Sequence, residues 1–254
     1  MKATATTIYP KKNFKSFSYN FWVFCRAIIN LSLPNIPSNR QESSCDEVVS
    51  EITKTGGTAI SVKADIASEA DVNRVVEQTK KEFKRIDILV NNAAVNLPYR
   101  TVLEVTPEEW NWLIGANLTG TYLCCHAVLP QMIAQRYGKI INFSSIGGRS
   151  GAAGRAPYRA AKSAIINFTE CLAAEVKEFD IDVNAICPGA VATDMLRGMN
   201  SSEQLSVAMP PEHIAAVALF LAYDDGRAIT GTAIDVFGRS NPLFGVPHGF
   251  RPPE

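Results

Sequence analysis

Two kinds of hydrophobic pattern recur along the chain from residue 44 onward. Short apolar runs predict strands at 58–63, 86–90, 139–144, 182–187 and 230–236. Longer stretches, with apolar residues every three or four positions, predict helices at 44–55, 68–83, 106–136, 156–178 and 211–221. Strands and helices alternate, which is typical of a single doubly wound parallel α/β sheet with right-handed crossovers, a Rossmann-type fold.

Cap and breaker residues support several of these bounds. Ser44 is expected to cap the first helix and the Gly56-Gly57 pair to end it. Ser68, three residues before Asp71, resembles a second cap. The run Thr106-Pro107-Glu108-Glu109 combines a cap, a first-turn proline and first-turn acids. The apolar runs at 58–63 and 86–90 predict buried strands.

The first 38 residues differ from the rest of the chain. Residues 1–41 contain six cations and no acid, and seven of the 22 aromatic residues lie between Tyr9 and Phe24. The first glycine of the chain is Gly56. We therefore divide the chain into an atypical basic and aromatic segment (1–38), a Rossmann-type domain (39–237) and a proline-containing tail (238–254), and we expect the first strand–helix unit to be atypical or absent.

The composition limits the kinds of partner. With 254 residues, 46% hydrophobic and 20% charged, the chain suits one α/β domain. Its 25 basic and 25 acidic residues give zero net charge, which argues against nucleic acid or a membrane surface as partner and for a small molecule. The apolar stretch 21–33 is interrupted by Arg26 and is too short to span a membrane. We expect a cytoplasmic protein, or an organellar one if the N-terminal segment is a transit peptide.

Cysteine and histidine spacing argues against a metal site and a disulfide framework. The six cysteines follow no C-x-x-C pattern, and the three histidines show no ligand spacing. We expect reduced thiols and no bound metal.

The ends of three successive predicted strands carry polar or backbone-exposing residues, at 91–94, at Ser145 and at 187–193. Open α/β sheets bind their ligands at this edge. Tyr158 lies 13 residues after Ser145, and Lys162 lies four residues further on the same helix face. A Tyr-x-x-x-Lys pair alone also fits an exposed tyrosine beside a solvated lysine. The polar residues at the strand ends are what favour a functional role for Tyr158 and Lys162.

Taken together, these motifs resemble the short-chain dehydrogenase/reductase family over about residues 39–236, and most closely its 3-oxoacyl-acyl-carrier-protein reductases and related carbonyl or polyol reductases. The resemblance implies an NAD(P)-dependent oxidoreductase acting on a carbonyl/alcohol substrate, and a homo-oligomer, either tetramer or dimer. The motifs are Asp65, Asn91-Asn92-Ala93-Ala94, Asn117, Ser145, Tyr158 to Lys162, Asn184, Pro188 to Thr193, and Ile229-Thr230-Gly231.

Carbonyl reduction by hydride leaves negative charge on oxygen, so the site needs a positioned acid. A free tyrosine, with a pKa of about 10, is a weak acid at neutral pH. We expect Lys162 to lower the pKa of Tyr158 and to bind the cofactor ribose, Tyr158 to act as general acid, and Ser145 to donate a hydrogen bond to the substrate oxygen. Ser144 is the rival donor, and the 13-residue spacing favours Ser145.

The resemblance also assigns further residues. It implies that Asn117 holds a water linking Lys162 to solvent; helix distortion is the alternative, because Gly115 and Gly120 flank it. Arg40, with no acid beside it, favours NADP over NAD. The other implied cofactor-binding residues are Asp65, Ile66, Asn92, Ala93, Pro188, Gly189, Val191 and Thr193.

One motif of the family is missing. Its members begin with a strand, a glycine-rich turn and a helix whose N-terminus receives the cofactor pyrophosphate, whereas this chain has no glycine before Gly56. Three explanations stay open: a wrongly joined exon or reading frame, a non-catalytic descendant, or a targeting segment with true loss of the turn. A catalytically silent scaffold or oligomer partner is therefore the alternative function.

Overall fold

A seven-stranded sheet forms the centre of the computed structural model, which describes residues 3–9, 28–32, 43–197 and 208–238. The strand order across the sheet is β3-β1-β2-β4-β5-β6-β7. The strands are β1 (Ala3–Tyr9), β2 (Ile28–Ser32), β3 (Thr58–Ala64), β4 (Ile88–Asn91), β5 (Gly138–Phe143), β6 (Ile181–Pro188) and β7 (Ala233–Val236).

Helices connect and cover these strands. The described α-helices are α1 (Ser43–Lys54), α2 (Glu69–Phe83), α3 (Pro107–Ile114), α4 (Gly120–Gln135), α5 (Ala156–Val176), α6 (Asp194–Arg197) and α7 (Pro211–Ala222). None of the helices in the described part of the chain combines the length and the apolar character that a membrane span requires.

The sheet is parallel, as predicted, except at one strand. β2, β4, β5, β6 and β7 pair in parallel, each with its neighbour. β1 runs antiparallel to both neighbours, with Ala3 opposite Ala64 and Thr4 opposite Ser32. The atypical N-terminal segment therefore supplies two strands, one of them reversed. Antiparallel strands that follow each other in sequence need no crossover helix, which is why they can pair directly.

Helix caps follow the sequence signals. The Ser68 hydroxyl accepts from the Asp71 N–H at 3.4 Å. Thr106 and Glu109 form a reciprocal capping box, with bonds of 3.2 and 3.1 Å. The prediction of a cap at Ser44 was wrong, because Ser44 is the second residue of α1 and lies two residues after the cap position. The helix predicted over 106–136 is interrupted by a π-helix at Gly115–Thr119, which separates α3 from α4.

Burial differs between the centre and the edge of the sheet. Every residue of β4 and β5 is buried, because helices cover both faces. The prediction of a buried strand at 58–63 was wrong: β3 is the edge strand, and only Val62 and Ala64 of it are buried. The largest apolar cluster joins α2 and α4 to the sheet through residues such as Val72, Val76 and Val128.

The direction of the strands determines which ends lie together. β2 and β3 are both antiparallel to β1, so they are parallel to each other and to the rest of the sheet. The carboxyl ends of all strands except β1 consequently lie at one edge. The chain crosses from one half of the sheet to the other between β3 and β4, which places a switch point between β2 and β4 at this edge.

Candidate active site

The carboxyl edge of the sheet collects most of the predicted site residues. Asp65 and Ile66 follow β3, Asn92 and Ala93 follow β4, Ser145 follows β5, and Pro188, Gly189, Val191 and Thr193 end or follow β6. Arg40 lies outside the described residues. The structure thus places these strand-end positions on one side of the molecule, in the order of the strands.

Ser145, Tyr158 and Lys162 come together where β5 ends and α5 begins. Ser145 has extended backbone, and its hydroxyl accepts from the Gly147 N–H at 3.0 Å. Tyr158 lies in the first turn of α5, half-buried, and its side chain hydrogen-bonds with Ser145. The Lys162 Nζ lies 5.7 Å from the centre of the Tyr158 ring. The phenol of Tyr158 thus has a hydroxyl group and an amine as neighbours.

Lys162 is buried, with 2% of its surface exposed. Its Nζ donates to the Phe143 carbonyl at 2.7 Å, which fixes the amine beneath the end of β5. Burial penalises the charged form and lowers the pKa of Lys162 to about 8. The group is still mostly an ammonium at neutral pH.

The pKa of Tyr158 differs from the sequence-based expectation. Burial raises the pKa of the phenol above its ordinary value, and this effect outweighs the opposing ones. The opposing, lowering effects on this pKa come from the Ser145 hydrogen bond and from the charges of Arg155 and Arg159. Lys162 was expected to lower the pKa of Tyr158, but in this structure the balance is upward and the lowering cations are the two arginines.

The two candidate serines have different environments. The Ser144 hydroxyl donates to the Lys162 carbonyl at 2.7 Å, and only 4% of Ser144 is exposed. Ser145 is less buried and hydrogen-bonds with Tyr158. Ser144 therefore ties α5 to the end of β5, whereas Ser145 borders the phenol.

Asn117 lies in the π-helix and is buried. Its Oδ1 accepts from the Val95 N–H at 2.8 Å, and its Nδ2 donates to the Val95 carbonyl at 2.9 Å. Its own carbonyl accepts from the Thr121 hydroxyl at 2.8 Å. The helix distortion that was the alternative reading is thus present, and the side-chain amide holds the segment after β4. The water relay stays a prediction.

A buried polar network lies beneath the site. Asn91 donates to Asn142 at 2.9 Å, and Asn142 donates to the Thr169 hydroxyl at 2.9 Å. All three side chains are buried, and they join β4 and β5 to α5. This arrangement agrees with a role for Asn91 in stabilising the sheet.

The remaining predicted cofactor positions are mostly engaged locally. Asp65 accepts from the Ala67 N–H at 2.9 Å, and its own N–H donates to the Asp71 carboxylate at 2.7 Å. The Gly189 N–H donates to the Val236 carbonyl at 2.9 Å, which joins the end of β6 to β7. Thr193 is exposed at the same edge.

Sequence reasoning missed Arg155 and Tyr99, which border the site. Arg155 lies three residues before Tyr158, and the Tyr99 ring covers its guanidinium at 3.6 Å. The only signal was the position of Arg155 one turn from Tyr158; the contact with Tyr99 joins residues 56 positions apart and has no local signature.

A family model described as short chain dehydrogenase matches residues 24–204, which is more than half of the chain. A 3-oxoacyl-[acyl-carrier-protein] reductase from Synechocystis sp. is 39% identical over 206 residues, covering 78% of this chain and 83% of that protein. The short-chain reductase protein NovJ from Streptomyces niveus is 38% identical over 215 residues, covering 79% of this chain and 81% of NovJ.

Solved structures agree with this likeness. A short-chain dehydrogenase/reductase from Burkholderia xenovorans matches with a TM-score of 0.73 and 30% identity, covering 79% of this chain and 81% of that one. The structure of ElxO with NADP bound matches with a TM-score of 0.65 and 32% identity, covering 69% of this chain and 75% of ElxO.

Proposed function

The chain belongs to the short-chain dehydrogenase family, and from that premise we propose that it interconverts a carbonyl compound and a secondary alcohol by hydride transfer with NADP. The observation that carries the proposal is that the phenol of Tyr158 neighbours both the Ser145 hydroxyl and the buried Lys162, at the carboxyl edge of the sheet. NADP is preferred to NAD because Arg40 is present without a neighbouring acid and because the related ElxO binds NADP.

Each residue has one role in the proposed reduction. The cofactor, whose ribose Lys162 would hold, would supply the hydride that reduces the carbonyl carbon. Tyr158 gives its phenol proton to the carbonyl oxygen, and Ser145 donates a hydrogen bond to the same oxygen. In the reverse direction the Tyr158 phenolate takes the proton of the alcohol. A raised pKa keeps Tyr158 protonated at neutral pH, as the reductive direction requires.

The residues present fit the nicotinamide–ribose end of such a cofactor. An ammonium group has three N–H donors. Among the described residues only the Phe143 carbonyl accepts from Lys162, so two donors stay available for ribose hydroxyls. At the pyrophosphate end, the absence of any glycine before Gly56 removes the usual backbone cradle.

A second candidate function rests on that missing cradle. Without a glycine-rich turn, a member of this family can keep its fold and serve as a catalytically silent scaffold or oligomer partner. Such a scaffold would have the same arrangement of Ser145, Tyr158 and Lys162 as an enzyme, so a measurement of cofactor binding decides between the two functions.

The oligomeric state of the protein is a further part of the proposal. We expect a homo-oligomer, a tetramer or a dimer, with α5 at a subunit contact. In support, Tyr122 on α4 is 47% exposed and packs edge-on against Phe168 of α5, with ring centres 6.4 Å apart. Light scattering behind size-exclusion chromatography measures the mass directly, and a monomer would contradict the expectation.

The test of the function uses the purified chain with NADPH and carbonyl substrates, beginning with a 3-oxoacyl thioester because of the Synechocystis relative. We expect NADPH consumption, and a fall in kcat of about 10²–10⁴-fold in Tyr158→Phe with unchanged Tm, because the proton donor is lost. Tyr122→Phe is the matched control on a neighbouring helix. Equal activity of the two variants would refute the role of Tyr158, and no consumption with any carbonyl would favour the scaffold.

A further inference from the structure

Arg155 is a buried cation at the start of the helix that carries Tyr158. Only 8% of the residue is exposed. Its Nη1 donates to the Leu97 carbonyl at 3.0 Å and to the Asn96 Oδ1 at 3.5 Å. The face of its guanidinium lies 3.6 Å from the centre of the Tyr99 ring. Arg155 thus ties the segment after β4 to the first turn of α5.

The same two segments contact each other through their backbones. The Arg100 N–H donates to the Gly154 carbonyl at 3.1 Å. Gly154 has φ +70°, and a Cβ there would come within 3.2 Å of the Tyr99 ring. The loop before α5 therefore packs closely against Tyr99, the residue whose ring lies over the Arg155 guanidinium.

The charge of Arg155 is not neutralised by its described neighbours. Its hydrogen-bond acceptors are a carbonyl and an amide oxygen, and no described carboxylate pairs with it. The adjacent Arg100, by contrast, is paired with Glu109 at 2.7 Å. A cation that is buried without a paired anion has lost its hydration and gained no ion pair. The Arg155 charge therefore interacts strongly with a negative charge that forms near it.

We propose that Arg155 is a positioning residue for the reaction: it fixes the first turn of α5 against the segment after β4, and its uncompensated charge stabilises the phenolate of Tyr158. The inference rests on the proposed function, in which Tyr158 exchanges the proton. Arg155 is also the first of the charges that lower the pKa of Tyr158 against the effect of burial.

Other charged groups lie on the elements around Tyr158, and most of them are engaged. Arg149, after β5, pairs with Asp235 at 2.7 Å. Arg159 donates to the carbonyl and hydroxyl of Ser150 and is partly exposed. The full set comprises Arg155, Arg159 and Lys162 on α5 and its N-cap, Tyr99 and Arg100 after β4, Glu109 on α3, Arg149 after β5, and Cys187 at the end of β6. Arg155 differs from the other arginines of this set in being buried without a described acid.

The first measurement follows the ionisation of Tyr158 without cofactor or substrate. Fluorotyrosine incorporated into the whole chain ionises at lower pH than tyrosine, and fluorine NMR reports each ring, with Tyr158→Phe assigning the signal. We expect the pKa of this ring to rise by about 1 unit in Arg155→Met and to stay close to the parent value in Arg155→Lys. Arg159→Met is the matched control and should give a smaller rise, because water screens its guanidinium.

The second measurement is the pH dependence of kcat for alcohol oxidation, which needs the phenolate. In Arg155→Met the acid limb should move to higher pH by about 1 unit, a tenfold loss of rate at a fixed pH below it. A merely structural role would lower the height of the profile and leave the limb in place. The proposal would be overturned if neither the acid limb of the kcat profile nor the pKa from the fluorine titration moved in an Arg155→Met variant that circular dichroism shows to be folded.

Two further outcomes are distinguishable. If no carbonyl substrate consumes NADPH, the proposed function is wrong, and if Tyr158→Phe keeps full activity, the proposed role of Tyr158 in that function is wrong. In both cases the fluorine titration still decides whether Arg155 stabilises the phenolate. If Arg155→Met does not fold, Tyr99→Leu replaces it, because it keeps the charge and admits water to the guanidinium. We then expect a rise in the Tyr158 pKa in the same direction and smaller than 1 unit; no rise would overturn the proposal.

Discussion

The catalytic side of the sheet edge and its N-terminal side differ in how completely they follow their family. From β4 to β6, hydrogen bonds fix the positions of the site residues. Asn117 donates to the segment after β4, Ser144 donates to α5, and the Phe143 carbonyl accepts from Lys162. On the other side, β1 is reversed and no glycine precedes Gly56. If the proposed function holds, the residues for proton transfer and those for the cofactor pyrophosphate lie in different parts of one sheet.

The largest expected effect concerns the N-terminal side. Hydrogen bonds to a charged pyrophosphate contribute about 1.5–3 kcal/mol each, and a helix N-terminus about 0.3–2 kcal/mol more. Losing two or three of them amounts to roughly 4–8 kcal/mol, so we expect NADPH to bind with millimolar affinity or weaker where a micromolar value is ordinary. Titration of nicotinamide fluorescence measures this.

A graft sharpens the same prediction. Residues 1–42 are replaced by a strand, a glycine-rich turn and a helix of the kind with which members of this family begin, and binding should tighten by about a thousandfold. The matched control carries the same graft with its turn glycines changed to alanine, and it should gain little. Low-micromolar binding by the unmodified chain would show that its N-terminal side binds the cofactor without a glycine-rich turn, and it would contradict the prediction.

The next effect tests the catalytic side. Ser145→Ala should lower kcat by about 10²-fold, because the substrate oxygen loses a hydrogen-bond donor as charge develops on it. Ser144→Ala is its control: the Ser144 hydroxyl already donates to Lys162, so we expect a loss of about 1 kcal/mol in unfolding free energy and little change in kcat. Steady-state kinetics and urea unfolding separate the two, and equal losses of kcat would remove the assignment of Ser145.

The smallest effect on activity is expected beneath the site. Asn142→Ala removes the centre of the network and leaves Asn91 and Thr169 without their partner, at a cost of about 1–3 kcal/mol in unfolding free energy. Thermal unfolding measures the loss. Asn167→Ala, on the exposed side of α5, is the control. A drop in kcat as large as that of Ser145→Ala would show that the network acts in catalysis and not only in stability.

Local signals account for what the sequence predicted well. The caps at Ser68 and Thr106, the buried run of β4 and the strand-end position of Ser145 each depend on neighbours within a few residues. The reversed β1, the edge position of β3 and the cover of Tyr99 over Arg155 depend on residues far apart in sequence. The direction of the Tyr158 pKa also escaped prediction, because it depends on how deeply three-dimensional packing buries the phenol.

The π-helix at Gly115–Thr119 changes the rotational phase of one long helical stretch. A bulge of this kind carries one more residue per turn than an α-helix, where each residue advances the helix by about 100°. Leu113, before the bulge, packs with Val95 in one apolar cluster, whereas Cys124 and Val128, after it, pack in another. Deleting one residue within 115–119 would restore a continuous α-helix and turn α4 against α3 by about 100°. Because of the π-helix, one continuous helical stretch packs its first part into the apolar cluster of Leu113 and its second part into that of Cys124 and Val128.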